Sequence, residues 1–313
     1  MIAYILKDFG GAENLTRAEI PVPAVQDNEV LVKVKAIAVN PVDVKTRQGR
    51  GQAGRLKDFD PVILGWDISG IVTETGKRVT TFKKGDEVFG LINFPGHGKA
   101  YAEFVAAPEN QLALKPVNIS HEEAAAASLA AMTAWQILHE KAWIRPGDKV
   151  LIHAAAGGVG HFAVQMAEYL GAWVVGTASR KNREFVLSLG ASVHIDYETQ
   201  RFEEVVNNLD FVLDTIGGDY TERSFKVLKP GAAIFCIPSL ACENIAEKAK
   251  VKGLQGYTFH VRSNGENIKE ISQLLQKGIV KPYISKRFSF DQIPAAHLQL
   301  ESGKTKGKVV VTL

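Results

Sequence analysis

The sequence predicts a mixed α/β chain in two parts, a β-rich N-terminal part and a doubly wound parallel α/β sheet. Three observations carry this. Up to about residue 120, short β-branched segments alternate with turns. From Lys149 onward, strand-like and helix-like segments alternate, which calls for right-handed crossovers and parallel pairing. At the first of these strand–helix junctions stands a run of small residues, Ala154 to Gly160.

The elements follow in order. Residues 29–40, 67–76, 86–92 and 101–107 read as strands, each with Gly, Pro or Asp near its ends. An Ala-rich helix is expected from His121 to about Glu140. Strands are then expected at KVLIHA, WVVGTA, VHIDY, DFVLDT and AAIFCI, with LQGYTFH (254–260) as a sixth. Between them lie helical segments; the first carries Phe162, Met166 and Tyr169 at helical spacing and ends at Gly171, suited to a C-cap. The tail holds an amphipathic helix at 267–278, a short helix near His297 and a final strand KVVVTL.

Composition excludes several classes. Lys+Arg 37 against Asp+Glu 34 leaves +3, too small a surplus to support nucleic-acid binding from bulk charge. The longest apolar stretch, Ala124–Trp135, is far short of the roughly 20 residues that span a bilayer. The N-terminal apolar run stops at Lys7, too early for a signal-peptide core. Two cysteines, Cys236 and Cys242, make neither a disulfide framework nor a four-ligand zinc site. The expectation is a cytoplasmic protein with reduced thiols, and no nucleic-acid or membrane partner.

The small-residue run explains itself chemically. Ala155, Gly157 and Gly160 take the three small positions of a dinucleotide fingerprint. Small side chains allow a tight turn and close backbone approach to a pyrophosphate, and the following helix offers unpaired N–H groups. About 20 residues on, an acid that would bind an adenosine 2′-hydroxyl is missing. Ser179, Arg180, Lys181 and Arg183 stand there instead, which suits a 2′-phosphate. The cofactor expected is NADPH.

The whole pattern resembles the medium-chain dehydrogenase/reductase superfamily, and within it the zinc-independent quinone oxidoreductase and alkenal/enone reductase branch. The residues that carry the likeness are Val39-Asn40-Pro41-Val42-Asp43, Gly65-Trp66-Asp67-Ile68-Ser69-Gly70, Lys84-Gly85-Asp86-Glu87-Val88, Ala131-Met132-Thr133-Ala134-Trp135, His153–Gly160 and Gly307-Lys308-Val309-Val310. The resemblance implies a GroES-like catalytic domain, 1–122 with 261–313, and a Rossmann cofactor domain, 123–260. No metal is expected. The zinc-dependent branch has Cys near Asn40 and His where Trp66 stands, and its four-Cys lobe is missing here.

The same resemblance implies the site residues. Asn40 lies near the nicotinamide and is both a catalytic and a cofactor-binding candidate. Thr133 faces the carboxamide, Gly158 and Val159 complete the pyrophosphate loop, and Tyr197 lies near the adenine. Asp214, Thr215 and Ile216 line the ribose. Ile237, Pro238 and Ser239 approach the nicotinamide beside Phe259 and His260, and Lys308 joins the cofactor contacts. Lys45 is the second catalytic candidate, its ammonium donating to a substrate carbonyl oxygen as charge builds there; a solvated lysine is the competing reading. If the segment after Asn40 is extended, Asp43, Lys45 and Arg47 share one side.

The implied activity is hydride transfer from NADPH to quinones or α,β-unsaturated carbonyls of small molecules, without zinc. Two alternatives stand beside it. An enoyl-thioester reductase would rely on a tyrosine in the N-terminal domain, and none occurs between Tyr4 and Tyr101. A non-enzymatic NADPH-binding protein would bind the cofactor and oxidise none of it. A homodimer is expected from the family, with 254–260 at or near the contact.

Overall fold

A computed structural model describes residues 1–237 and 241–313. Within them the chain divides into two compact units, Met1–Met132 with Val261–Leu313, and Thr133–His260. The first crossing lies after Met132 rather than after Glu122, because the helix His121–Ala126 packs on the strands Glu29–Val39 and Asp67–Thr75.

The first unit is organised by the strand Glu29–Val39. It pairs antiparallel with Asp67–Thr75, Phe104–Pro108 and the tail strand Lys308–Thr312. The register Val309↔Val39 is the physical reason that the tail belongs to the N-terminal part: its backbone completes this sheet. Ile284–Ser289 joins the tail strand in parallel, and a separate three-stranded sheet holds Leu15–Glu19, Ile2–Leu6 and Val62–Ile63. Ala36, Ala38, Ala125, Ala126 and Val310 form a small-residue core that lets the helix approach closely.

Two expectations are corrected here. The segment after Asn40 is not extended but forms the helix Pro41–Arg47, with Pro41 at its start, where a missing N–H is harmless. Asp43 and Arg47 therefore share one buried helical face, and Lys45 points elsewhere. The helix expected at 121–140 is broken into His121–Ala126, Leu129–Trp135 and a wider turn at Gln136–Lys141. The break falls where the Leu129 N–H turns to the Asp67 carboxylate, 2.8 Å away.

The second unit is a six-stranded parallel sheet. Its order is Val193–Asp196, Trp173–Ala178, Lys149–Ile152, Leu209–Asp214, Leu228–Cys236, Gln255–Thr258. Counted along the unit this is 3-2-1-4-5-6, the doubly wound order whose direction reverses beside the first strand. The strands read as apolar runs because helices cover both faces; Leu151, Val175, Ile195, Val212 and Ile234 are all buried in one core. The expectation of reduced thiols is also corrected. Cys236 ends its strand, and Cys236 and Cys242 are joined as a disulfide with Cα atoms 6.4 Å apart.

Candidate cofactor loop and active-site cluster

In the second unit, the small residues do what the chemistry asks. Ala154 adopts a left-handed conformation, and its carbonyl accepts the Gly157 N–H at 2.8 Å, closing the turn. A Cβ on Gly160 would lie 2.2 Å from that same carbonyl oxygen, so only glycine fits. The helix Gly160–Tyr169 then starts with Gly157, Gly158 and Val159 partly exposed before it. This cradle fits a dinucleotide pyrophosphate, which needs backbone access and N–H donors together.

Beyond the loop, Ser179 is buried and its hydroxyl accepts from the Asn182 amide, while Arg180 and Lys181 stay exposed. A cleft of about 530 Å³ is lined by Arg180, Arg183, His194, Asp196, Thr199 and Gln200. His194, Thr199 and Gln200 carry no sequence motif, and only the neighbouring strand brings them here. Asp196 does not oppose the arginines freely. Its carboxylate accepts the Glu198 N–H and the Thr199 hydroxyl. Tyr197 is half exposed, and its backbone N–H bonds the Ala178 carbonyl.

Other expected contacts separate into open and closed groups. Asp214, expected beside the ribose, is closed. It is fully buried and accepts the N–H groups of Ile216 and Gly217 and the Thr221 hydroxyl. The Thr215 hydroxyl donates to the His153 carbonyl. His153, buried between Thr177 and Ser224, has its pKa lowered to about 4, first by burial, so it stays neutral. Ile216 and His260 are exposed and Ile237 partly so, whereas Phe259 packs against Phe235 and Thr133 is buried. Pro238 and Ser239 lie outside the described residues.

In the first unit, the sequence motifs converge on one buried polar cluster. The Asn40 amide donates to Asp67 at 2.8 Å, its side-chain carbonyl accepts from the Lys308 ammonium, and its backbone N–H bonds Asp43 at 2.5 Å. Asn40 is 1% exposed, so it caps the helix Pro41–Arg47 and has no free face for catalysis. Lys308, expected among the cofactor contacts, is 3% exposed and also lies 3.9 Å from Asp67. The other end of the helix is held by Arg47, paired with Glu301. Nothing local in the sequence ties Asp67, Tyr101, His297 and Glu301 to this group.

Burial sets the charges. The Asp43 carboxyl is pushed up to about 8 and Asp67 to about 6, both mainly by desolvation. Lys45, on the same helix, is partly buried, and burial lowers its ammonium pKa, helped by the Arg50 charge. Among the described residues, the group with metal-ligating side chains close together is Asp214, Cys236 and Cys242, where the sulfurs are bonded and the carboxylate is engaged. No helix of the described residues is long and apolar enough to cross a membrane.

Comparison with known proteins shows the family and the fold. The alcohol dehydrogenase GroES-like domain model matches residues 26–117, and a zinc-binding dehydrogenase model matches residues 189–311. The 2-methylene-furan-3-one reductase of Solanum lycopersicum is 35% identical, over 99% of this chain and 79% of that protein. The chloroplastic NADPH-dependent alkenal/one oxidoreductase of Arabidopsis thaliana is 34% identical with the same coverage. The structure of the quinone oxidoreductase from Coxiella burnetii matches with a TM-score of 0.95 at 36% identity, covering 100% of this chain and 99% of that one.

Two outcomes are expected. Gly160→Ala forces a side chain into the Ala154 carbonyl and should weaken dinucleotide binding at least roughly tenfold and lower the melting temperature. Isothermal titration checks it, and wild-type binding would refute the cradle. Asp43 has a raised pKa in the folded chain, so the folded state holds a proton that the unfolded state releases. Its contribution is complete below about pH 4 and is lost as pH rises toward 8. Urea unfolding at pH 5 and pH 8 should therefore show a smaller loss of stability on raising the pH for Asp43→Asn than for the wild type. An equal loss would put the titration elsewhere.

Proposed function

The chain is a member of the medium-chain dehydrogenase/reductase superfamily, in its zinc-independent quinone oxidoreductase and enone reductase branch, and we propose on that premise that it uses NADPH to reduce quinones or α,β-unsaturated carbonyls of small molecules. The observation that supports the cofactor choice is that Arg180 and Arg183 line a cleft whose one acid, Asp196, is engaged by the Glu198 N–H and the Thr199 hydroxyl, while no acid follows Ser179 at the strand end where NAD would need one. Asn40 and Trp66 stand where zinc-dependent relatives place ligands, and neither binds zinc, so the reaction is proposed to run without it.

The 154–160 loop and the start of the helix Gly160–Tyr169 would hold the pyrophosphate. Arg180, Lys181 and Arg183 would hold the 2′-phosphate, with Tyr197 toward the adenine and Ile216 toward the ribose. Thr133, Ile237, Pro238, Ser239, Phe259 and His260 are proposed along the rest of the cofactor. When bound, the nicotinamide supplies the hydride.

This chain's own part is to orient the reactants and to meet the charge that develops on the substrate oxygen. Lys45 is proposed for that charge. Its ammonium is partly desolvated, and a donor in such surroundings interacts more strongly with an anionic oxygen than one in water. Asn40 is proposed to act indirectly: with Asp67 and Lys308 it fixes the helix from which Lys45 projects.

Three measurements test this. NADPH should bind more tightly than NADH, and replacing Arg180 and Lys181 with Ala together should weaken NADPH alone; equal or tighter NADH binding by the unaltered chain would sink the preference. Lys45→Met should lower turnover of a small enone roughly tenfold with the NADPH dissociation constant unchanged. Unchanged turnover would make Lys45 a solvated surface residue. The chain is also proposed to dimerise through Gln255–Thr258, the last strand in the described sheet order, whose backbone edge invites pairing. Sedimentation at micromolar concentration with cofactor present should give twice the chain mass, and a monomer would refute it.

A further inference from the structure

We propose that Asp43, Arg47, Tyr101 and His297 enclose an internal water site in the first unit, in which bound solvent joins the Asp43 carboxyl to the His297 imidazole. All four side chains are at most 1% exposed. Tyr101 Oη and His297 Nε2 are 2.9 Å apart. The Tyr101 hydroxyl also lies beside the Asp43 carboxyl, and the Arg47 charge acts on both Tyr101 and His297. Asp43 and Arg47 stand one helical turn apart on the same face of Pro41–Arg47.

Valence points to the occupant. Arg47 gives one Nη2–H to Glu301, yet its Nε and Nη1 find no acceptor in the protein. Asp43 Oδ1 and His297 Nδ1 are also without a protein partner. Among the described residues seven buried side-chain atoms share this condition, and four of them belong to Asp43, Arg47 and His297. Guanidinium N–H groups donate only, so the occupant must accept from them. A carboxyl and an imidazole can each donate or accept, and water, which accepts from a guanidinium N–H and still donates or accepts toward the carboxyl and the imidazole, suits this mixture of groups.

Charge argues against an ion. Arg47 is balanced by Glu301, and Lys308 by Asp67. With the Asp43 pKa raised to about 8 and that of His297 lowered to about 3, both by burial first, these two are neutral at neutral pH. No net charge is left for an anion to meet. The water site also lies at the foot of the helix that carries Lys45, because the same Asp43 carboxyl accepts the Asn40 N–H at the helix start.

A crystal structure of the full chain at atomic resolution, with a second crystal soaked in bromide, tests the proposal. The expected result is a fully occupied water within about 2.7–3.2 Å of Arg47 Nε or Nη1 and of Asp43 Oδ1 or His297 Nδ1, with no anomalous peak. Arg47 bonded directly to Asp43 with no solvent density would overturn it. A bromide peak there would overturn it too, in favour of a small-anion site. In solution, water proton relaxation dispersion on the wild type should report at least one long-lived internal water that His297→Leu loses. An unchanged profile in a folded variant would place the long-lived water elsewhere and refute the assignment.

Discussion

The pairing of the tail strand with Glu29–Val39 is the constraint on which the first unit depends. It sets Val309 opposite Val39 and so delivers Lys308 to Asn40 and Asp67. Without that register the buried Asp67 carboxylate would lose the Lys308 ammonium, and an unpaired buried charge is strongly destabilising. With it, Asn40 lies between Asp67 and Lys308, with its amide and its carbonyl both engaged. The helix Pro41–Arg47 inherits a fixed start from this arrangement and a fixed end from Arg47 and Glu301.

A polar core of this kind stabilises less than an apolar one of equal volume, but it is more selective about geometry. Asn40 satisfies both of its neighbours in one orientation only, since a flipped amide would present its N–H groups to Lys308 and its oxygen to Asp67. The helix is therefore held in one place, and the half-buried ammonium of Lys45 with it. The second unit reaches rigidity by other means. Its loop is shaped by steric exclusion at Gly160 and by the left-handed Ala154, while the Asp214 carboxylate ties the neighbouring turn together.

The parallel sheet and its phosphate loop were legible in the sequence because their signals are local. Apolar runs, small residues between a strand and a helix, and the basic Ser179–Arg183 stretch are read within a few positions of one another. The tail was harder. KVVVTL reads as a strand, but its partner lies some 270 positions earlier, and only the resemblance pointed to it. Asp214 and Lys308 show a related limit of local signals. A residue type that can bind a ligand reveals nothing of whether its polar atoms are already engaged within the protein, and in both cases they are.

The sequence by itself determined the fold class, the order of elements in the second unit, the position of the dinucleotide loop and the lack of zinc ligands at positions 40 and 66. Each of these follows from which residue types stand next to each other. The tertiary structure alone decided that the stretch after Asn40 is helical, that Asp43, Asp67, Arg47, Tyr101, His297 and Lys308 gather in one buried cluster, and that Cys236 reaches Cys242. These depend on desolvation and on register between distant strands. Both arise when the chain closes on itself, and neither leaves a periodic mark in the sequence.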